Sequence, residues 1–203
     1  MAAPQEIIAL LESVIGVFLS DIRHRERAAF LLCDELIEKA CKYRAVDHDR
    51  KFETSCGFHA AWNAPGVQLD PDDLGKRVQA RRETRNLMQH ESAQATVDVE
   101  QCADAILDGL AVIDHCWPNS AADGLRLWAS CATRILNLYS SSGDLAQRDE
   151  FEHEMRMKAW GFTSHANLKE NETVIRPGER AFWHWAVTRS PEGVEEVLND
   201  LVI

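Results

Sequence analysis

The sequence predicts an all-α protein. Glycine and proline are scarce, 10 and 6 among 203 residues, and hydrophobic residues recur at helical spacing in nearly every segment. No long alternating run of Val, Ile and Thr argues for a sheet. Ile7, Leu10, Leu11, Val14, Ile15 and Phe18 trace one broad helical face, the pattern of a helix with one side on a core. A second helix is predicted from about Glu26 to Tyr43. Its apolar stripe is Phe30, Leu31, Cys33, Leu36, Ile37 and Ala40, with charged residues elsewhere. Residues 44 to 70 contain Gly57, Pro65 and Gly66 and read as a loop with one short helix. Asp70 is placed as an N-cap, Pro71 as the first helical residue, and Asp72 and Asp73 complement the positive end of the dipole. That helix should run from Pro71 to about Ser92. Asp98 can cap a further helix to about Cys116, with Cys102, Ala105, Ile106, Leu110 and Ile113 on its inner side, and Trp117-Pro118 stops it. Three more helical patterns follow, at about 120 to 140, 143 to 159 and 178 to 202. The last is rich in bulky groups (Phe182, Trp183, Trp185, Val187, Val194, Val197, Leu198 and Leu201) and is expected to dock on another surface.

With 45% hydrophobic residues the chain is long enough for one sizeable core. Residues 1 to 117 are expected to form a helical bundle. Residues 118 to 203 form a helical extension, either packed on the same core or offering a dimer or partner surface. The net charge of −11 argues against indiscriminate coating of nucleic acid, which depends on phosphate neutralisation by Lys and Arg. Any nucleic-acid contact must then be local. Six cysteines without a CxxC pair read as buried thiols in a reducing compartment. The apolar run from Ile7 to Leu19 is interrupted by Glu12 and Ser13 and is too short to span a bilayer, so a cytoplasmic location without a membrane partner is expected. Cys41, His48, Cys56 and His59 are possible zinc ligands within nineteen residues, but their spacing fits no standard zinc module, and neither a metal nor another cofactor is expected.

The most basic short segment contains Lys76, Arg77, Arg81 and Arg82 and leads into Arg85-Asn86-Leu87-Met88-Gln89-His90. An Arg, a polar residue, three further residues and a His is a pattern that also occurs at Arg148-Asp149-Glu150-Phe151-Glu152-His153. RNA cleavage without a metal needs a base for the 2′-hydroxyl proton, an acid for the leaving 5′-oxygen and cations for the charge that develops on the phosphoryl group. His can supply the first two near neutral pH, and the guanidinium fork suits phosphate. Asp144, Asp149, Glu150, Glu152 and Glu154 surround the second copy and would repel a phosphodiester. The first copy is therefore the candidate, and Arg148 and His153 read as a solvated helical face.

With this motif, residues 1 to about 117 resemble a HEPN domain (higher eukaryotes and prokaryotes nucleotide-binding). A long amphipathic helix and a loop precede the motif, and a break and the apolar helix beginning at Glu100 follow it. The resemblance implies a small α-helical bundle and a metal-independent RNA endoribonuclease that acts as a homodimer, the motifs of two subunits meeting in one cleft. It further implies a toxin or antiviral defence effector. His90 would be acid or base, Arg85 would stabilise the transition state, and Asn86 would orient His90 or contact the phosphate. Arg81, Arg82, Arg77 and Lys76 would guide RNA. The family's toxin branch that is silenced by nucleotidylation carries a Tyr two residues after the motif His. Ser92 stands there in this chain, which argues against a partner that modifies such a Tyr and leaves a different regulatory partner open.

On a straight helix, residues five apart differ by about 140° in azimuth at ~3.6 residues per turn. Arg85 and His90 can thus work together only if the helix unwinds near Gln89 or if two chains share the cleft. Set against a nuclease are an ordinary charged helix end, with Arg85 on a neighbouring carboxylate and His90 favouring the C-terminal dipole, and an inactive helical dimerisation, adaptor or nucleotide- and RNA-binding module.

Overall fold

The structure is a computed structural model that describes residues 2–20, 22–70, 72–90, 96–163 and 186–201, α8 beyond residue 155 by its backbone alone. The described residues form nine helices and no strand. They are α1 (Gln5–Leu19), α2 (Arg25–His48), α3 (Phe58–Trp62), α4 (Leu74–His90), α5 (Val99–Cys116), α6 (Ser120–Gly124), α7 (Leu127–Tyr139), α8 (Leu145–Thr163) and α9 (Pro191–Asp200). Residues 186–189 add a helical turn before α9.

α5 is the centre, touching α1, α2, α4, α6 and α7. A capping box starts it: the Asp98 carboxylate accepts from the Gln101 N–H (2.8 Å), and the Gln101 side chain accepts from the Asp98 N–H (3.2 Å). Gly109 lets α5 approach α2 closely, because a Cβ there would lie 3.1 Å from Cys33 Sγ. The Cys33 thiol in turn donates to the Ala105 carbonyl (3.0 Å). Burial raises the Cys33 pKa above the usual thiol range, which keeps it a neutral donor in the core. α5 ends at Trp117, whose ring is fully buried and whose Nε1 donates to Asp47 (3.1 Å).

That contact explains why α2 continues five residues past Tyr43. Its last turn is held from outside by Trp117 on Asp47, by Arg44 Nε on the Gly66 carbonyl (3.1 Å), and by buried Ala45. Gly66 is needed where the loop crosses this turn: its φ is +91°, and a Cβ would meet the His48 ring at 2.7 Å. α4 begins at Leu74, later than expected. Asp70 does not cap it. Its carboxylate accepts from the Asp72 N–H (2.8 Å), and its carbonyl takes the Gly75 N–H (2.7 Å) in a tight turn before the helix. Pro71 and Ser92 lie outside the described residues.

Beyond Trp117 the described residues stay on the same core. α7 buries Ala129, Cys131, Ala132, Ile135, Leu136 and Leu138 and packs on α5 and α1, and α9 lays Val194, Val197 and Leu198 against α7 and α8. The single helix expected at 120 to 140 is two, broken at Leu125-Arg126. Arg126 turns extended there because its backbone N–H (3.2 Å) and Nε (2.8 Å) both reach Glu12 of α1, and a second guanidinium nitrogen meets the other Glu12 oxygen. The last segment breaks at Ser190, where Pro191 starts α9. Phe182, Trp183 and Trp185 lie outside the described residues, while Val187 is buried. Leu10, Leu31 and Leu110 of the predicted stripes are only half-buried. No helix among the described residues is long and apolar enough to cross a membrane.

The hydrogen bonds from Arg126 hold the Glu12 carboxyl below its ordinary range, against the opposing effect of burial. A carboxylate whose folded pKa is depressed stabilises the fold above its unfolded pKa and loses that contribution as the pH falls through the folded value. Glu12→Gln should therefore lower the melting temperature at pH 7 modestly and flatten its fall between about pH 5 and 3. Circular-dichroism melts across that range check this; parallel pH profiles for the two proteins would refute the assignment.

Candidate functional site

α4 carries every residue of the candidate motif, yet it buries only Gly75, Val78 and Met88. Its inner face is instead a row of arginines set against acids on α2 and α5. Arg77 Nε (2.8 Å) and Arg81 Nε (2.5 Å) each take one oxygen of Asp108. Arg82 donates to Asp34 (3.0 Å) and Glu38 (3.1 Å) and lies over the Phe58 ring at 4.4 Å. Arg85 Nε stands 3.2 Å from the same Asp34 oxygen as Arg82, while its Nη1 donates to Asn86 Oδ1 (3.1 Å). Asp34 and Asp108 are 9% and 5% exposed, so α4 is fastened by two buried carboxylates, each holding two guanidinium groups.

Asp34 is the central member. Burial pushes its carboxyl above the usual range, and the charges of Arg82 and Arg85 only partly oppose that. Asp108 raises the pKa of Arg77 further through its hydrogen bond. Glu38 ends below its ordinary value: burial raises it, but the Lys42 hydrogen bond and the charges of Lys42 and Arg82 outweigh burial. Neither Asp34 nor Asp108 was singled out from the sequence, although a signal was there. Asp34 stands four residues after Phe30 and three before Ile37, and Asp108 three after Ala105, which puts an acid on each apolar stripe.

The helix stays α-helical through His90, so the unwinding near Gln89 does not occur. Arg27 of α2 helps to hold that end, its Nη2 donating to the Met88 carbonyl (2.6 Å). Arg85 therefore faces α2, whereas Asn86 and His90, one turn apart, share an exposed stripe with Glu83. Leu87 on that side is 47% exposed. The structure thus joins Arg85 to Asn86 and sets His90 on a different face from Arg85. Of the residues expected to guide RNA, Arg77, Arg81 and Arg82 hold intramolecular ion pairs, and Lys76 is exposed.

Beside Arg85 a groove of about 720 Å³ runs between α2 and the end of α4, with Leu31, Leu32, Tyr43, Thr54 and Gln89 among its walls. The other copy of the motif lies on α8, with Arg148 over the Tyr139 ring at 5.7 Å and His153 exposed. Cys41 is buried within α2, and burial raises its pKa well above the usual thiol range. Among the described residues no group of three or more His, Cys, Asp or Glu side chains is placed to hold a metal ion. No protein-family model matches the chain, and no curated protein or solved structure shows significant similarity to it.

Removing one partner of a buried ion pair costs more than removing an exposed one, because the remaining charges stay desolvated. Here the arginines keep partial access to water, which moderates the loss. Asp34→Ala should cost about 2 kcal/mol in urea unfolding. Arg85→Ala should cost clearly less, because Arg82 still holds Asp34. Equal losses would show that Asp34 does not organise the cluster.

Proposed function

We propose that this chain is a HEPN-type, metal-independent RNA endoribonuclease whose cleft is shared by two subunits. The observation that carries the reading is the outward display of Asn86 and His90 on an ion-pair-anchored helix, beside exposed Leu87 and with Arg85 tied to Asn86. A single histidine per chain cannot be base and acid in one step. Two chains supply two, one neutral and one protonated.

In this reading one His90 takes the 2′-hydroxyl proton and the 2′-oxygen attacks phosphorus. The other His90 protonates the 5′-oxygen as its bond to phosphorus breaks, leaving a 2′,3′-cyclic phosphate and a 5′-hydroxyl. Arg85 stabilises the charge on the non-bridging oxygens, and its anchorage on Asp34 lowers the reorganisation needed to do so. Leu87 on the same face as His90 suits a contact with a second copy. By the same resemblance the protein acts as a toxin or antiviral defence effector.

The internal pairing of Arg77, Arg81 and Arg82 favours a second reading, a helical dimerisation or adaptor module without catalysis, because it leaves less positive surface for a phosphodiester chain.

Purified wild type, His90→Ala and His153→Ala incubated with structured and unstructured RNA in EDTA separate the two. The expected outcome is cleavage by wild type and His153→Ala and at least a hundredfold loss in His90→Ala, the scale of general acid–base catalysis. RNA that persists equally in all three favours the adaptor. Cleavage by a species that sediments as a monomer would exclude the shared cleft.

A further inference from the structure

We infer that the groove between α2 and the end of α4 seats a nucleobase of the RNA strand next to the cleaved phosphate. This rests on the ribonuclease reading, and it goes further by naming what the enzyme holds beside the bond it breaks. The groove and the motif share Arg85, and Gln89, which also lines the groove, immediately precedes His90. A strand whose phosphate meets Arg85 therefore meets this groove.

The lining chemistry selects a base over a polyanion. Tyr43, 40% exposed, offers an aromatic face to a flat ring at one end of the groove, and Leu31 and Leu32 wall the other end with apolar surface. Leu31 lies twelve residues before Tyr43 on α2, about 18 Å at ~1.5 Å per residue, so the groove is longer than one base. Between them the charges alternate as Glu35–Lys39 (2.6 Å) and Glu38–Lys42 (2.8 Å) pairs. A run of phosphates would meet both carboxylates, whereas a neutral heterocycle with donors and acceptors around its edge finds partners of both kinds, including the Thr54 hydroxyl and the Gln89 amide. Asp34, Glu35 and Glu38 face Lys39, Lys42 and Arg85 along the groove, so its lining carries no net charge in a chain of −11. The phosphate then meets Arg85, which keeps 27% of its side chain exposed, while the base rather than further phosphates occupies the groove itself.

The test is equilibrium binding to the wild-type protein by calorimetry, with inorganic phosphate, each nucleoside monophosphate and 2′-O-methyl tetranucleotides that cannot be cut. Tetranucleotides should bind more tightly than monophosphates, and phosphate alone far more weakly. Tyr43→Ala should weaken both nucleotide classes roughly tenfold, Tyr43→Phe should restore them, and circular dichroism should show both variants folded. Three results would each overturn the proposal: no nucleotide binding at millimolar concentration, phosphate binding as tightly as the nucleotides, or an affinity indifferent to Tyr43→Ala. A tetranucleotide that binds in a Tyr43-dependent way to a protein that cuts no RNA upholds the groove and removes the cleavage reading alone.

Discussion

Two carboxylates taken out of water hold the candidate site in place. Asp34 on α2 and Asp108 on α5 each bind two arginines of α4, a helix with too little apolar surface to dock by burial alone. Burying such charges is costly unless each is paired and hydrogen-bonded. The pairing therefore works as a register device: α4 can sit on α2 and α5 only where four guanidinium groups meet two acids. Every displayed residue inherits its position from that register, including the outward face of Asn86 and His90.

The acids sit on helices that are packed against several others. α5 is surrounded by α1, α2, α4, α6 and α7, and Gly109 with Cys33 brings α2 and α5 into close contact one residue from Asp34 and one from Asp108. The chain after Trp117 adds to this frame. α7 lies on α5, α9 lies on α7, and the Arg126 contact with Glu12 ties the junction to α1. Mechanical support for the site thus includes elements that carry none of its chemistry.

Arg85 serves two settings at once. Toward the interior it balances Asp34, and toward solvent it reaches Asn86 and the groove along α2. The same arginine row that looks like a phosphate-binding strip in the sequence is largely neutralised inside the fold. This accounts for how so basic a segment fits a chain of net charge −11 without forming an extended cationic surface.

Much of the helical framework was legible beforehand because it depends on local chemistry. The all-α class followed from periodicity, α5 from the Asp98 cap and the Trp117-Pro118 stop, and α1 from one broad apolar face. The expectations that failed depend on contacts that periodicity and capping do not report, two of them between residues distant in sequence. α2 runs on because Trp117 reaches Asp47, α7 starts after a break because Arg126 reaches Glu12, and α4 starts late because Gly75 turns back on Asp70. By itself the sequence determined the helical class, most of the helical segments and that Arg85, Asn86 and His90 lie near the end of one helix, since periodicity and capping act within a few residues. Only the tertiary structure decided which charges are paired, that α4 stays helical through His90, and that a groove opens beside Arg85, because those follow from side chains meeting across α2, α4 and α5.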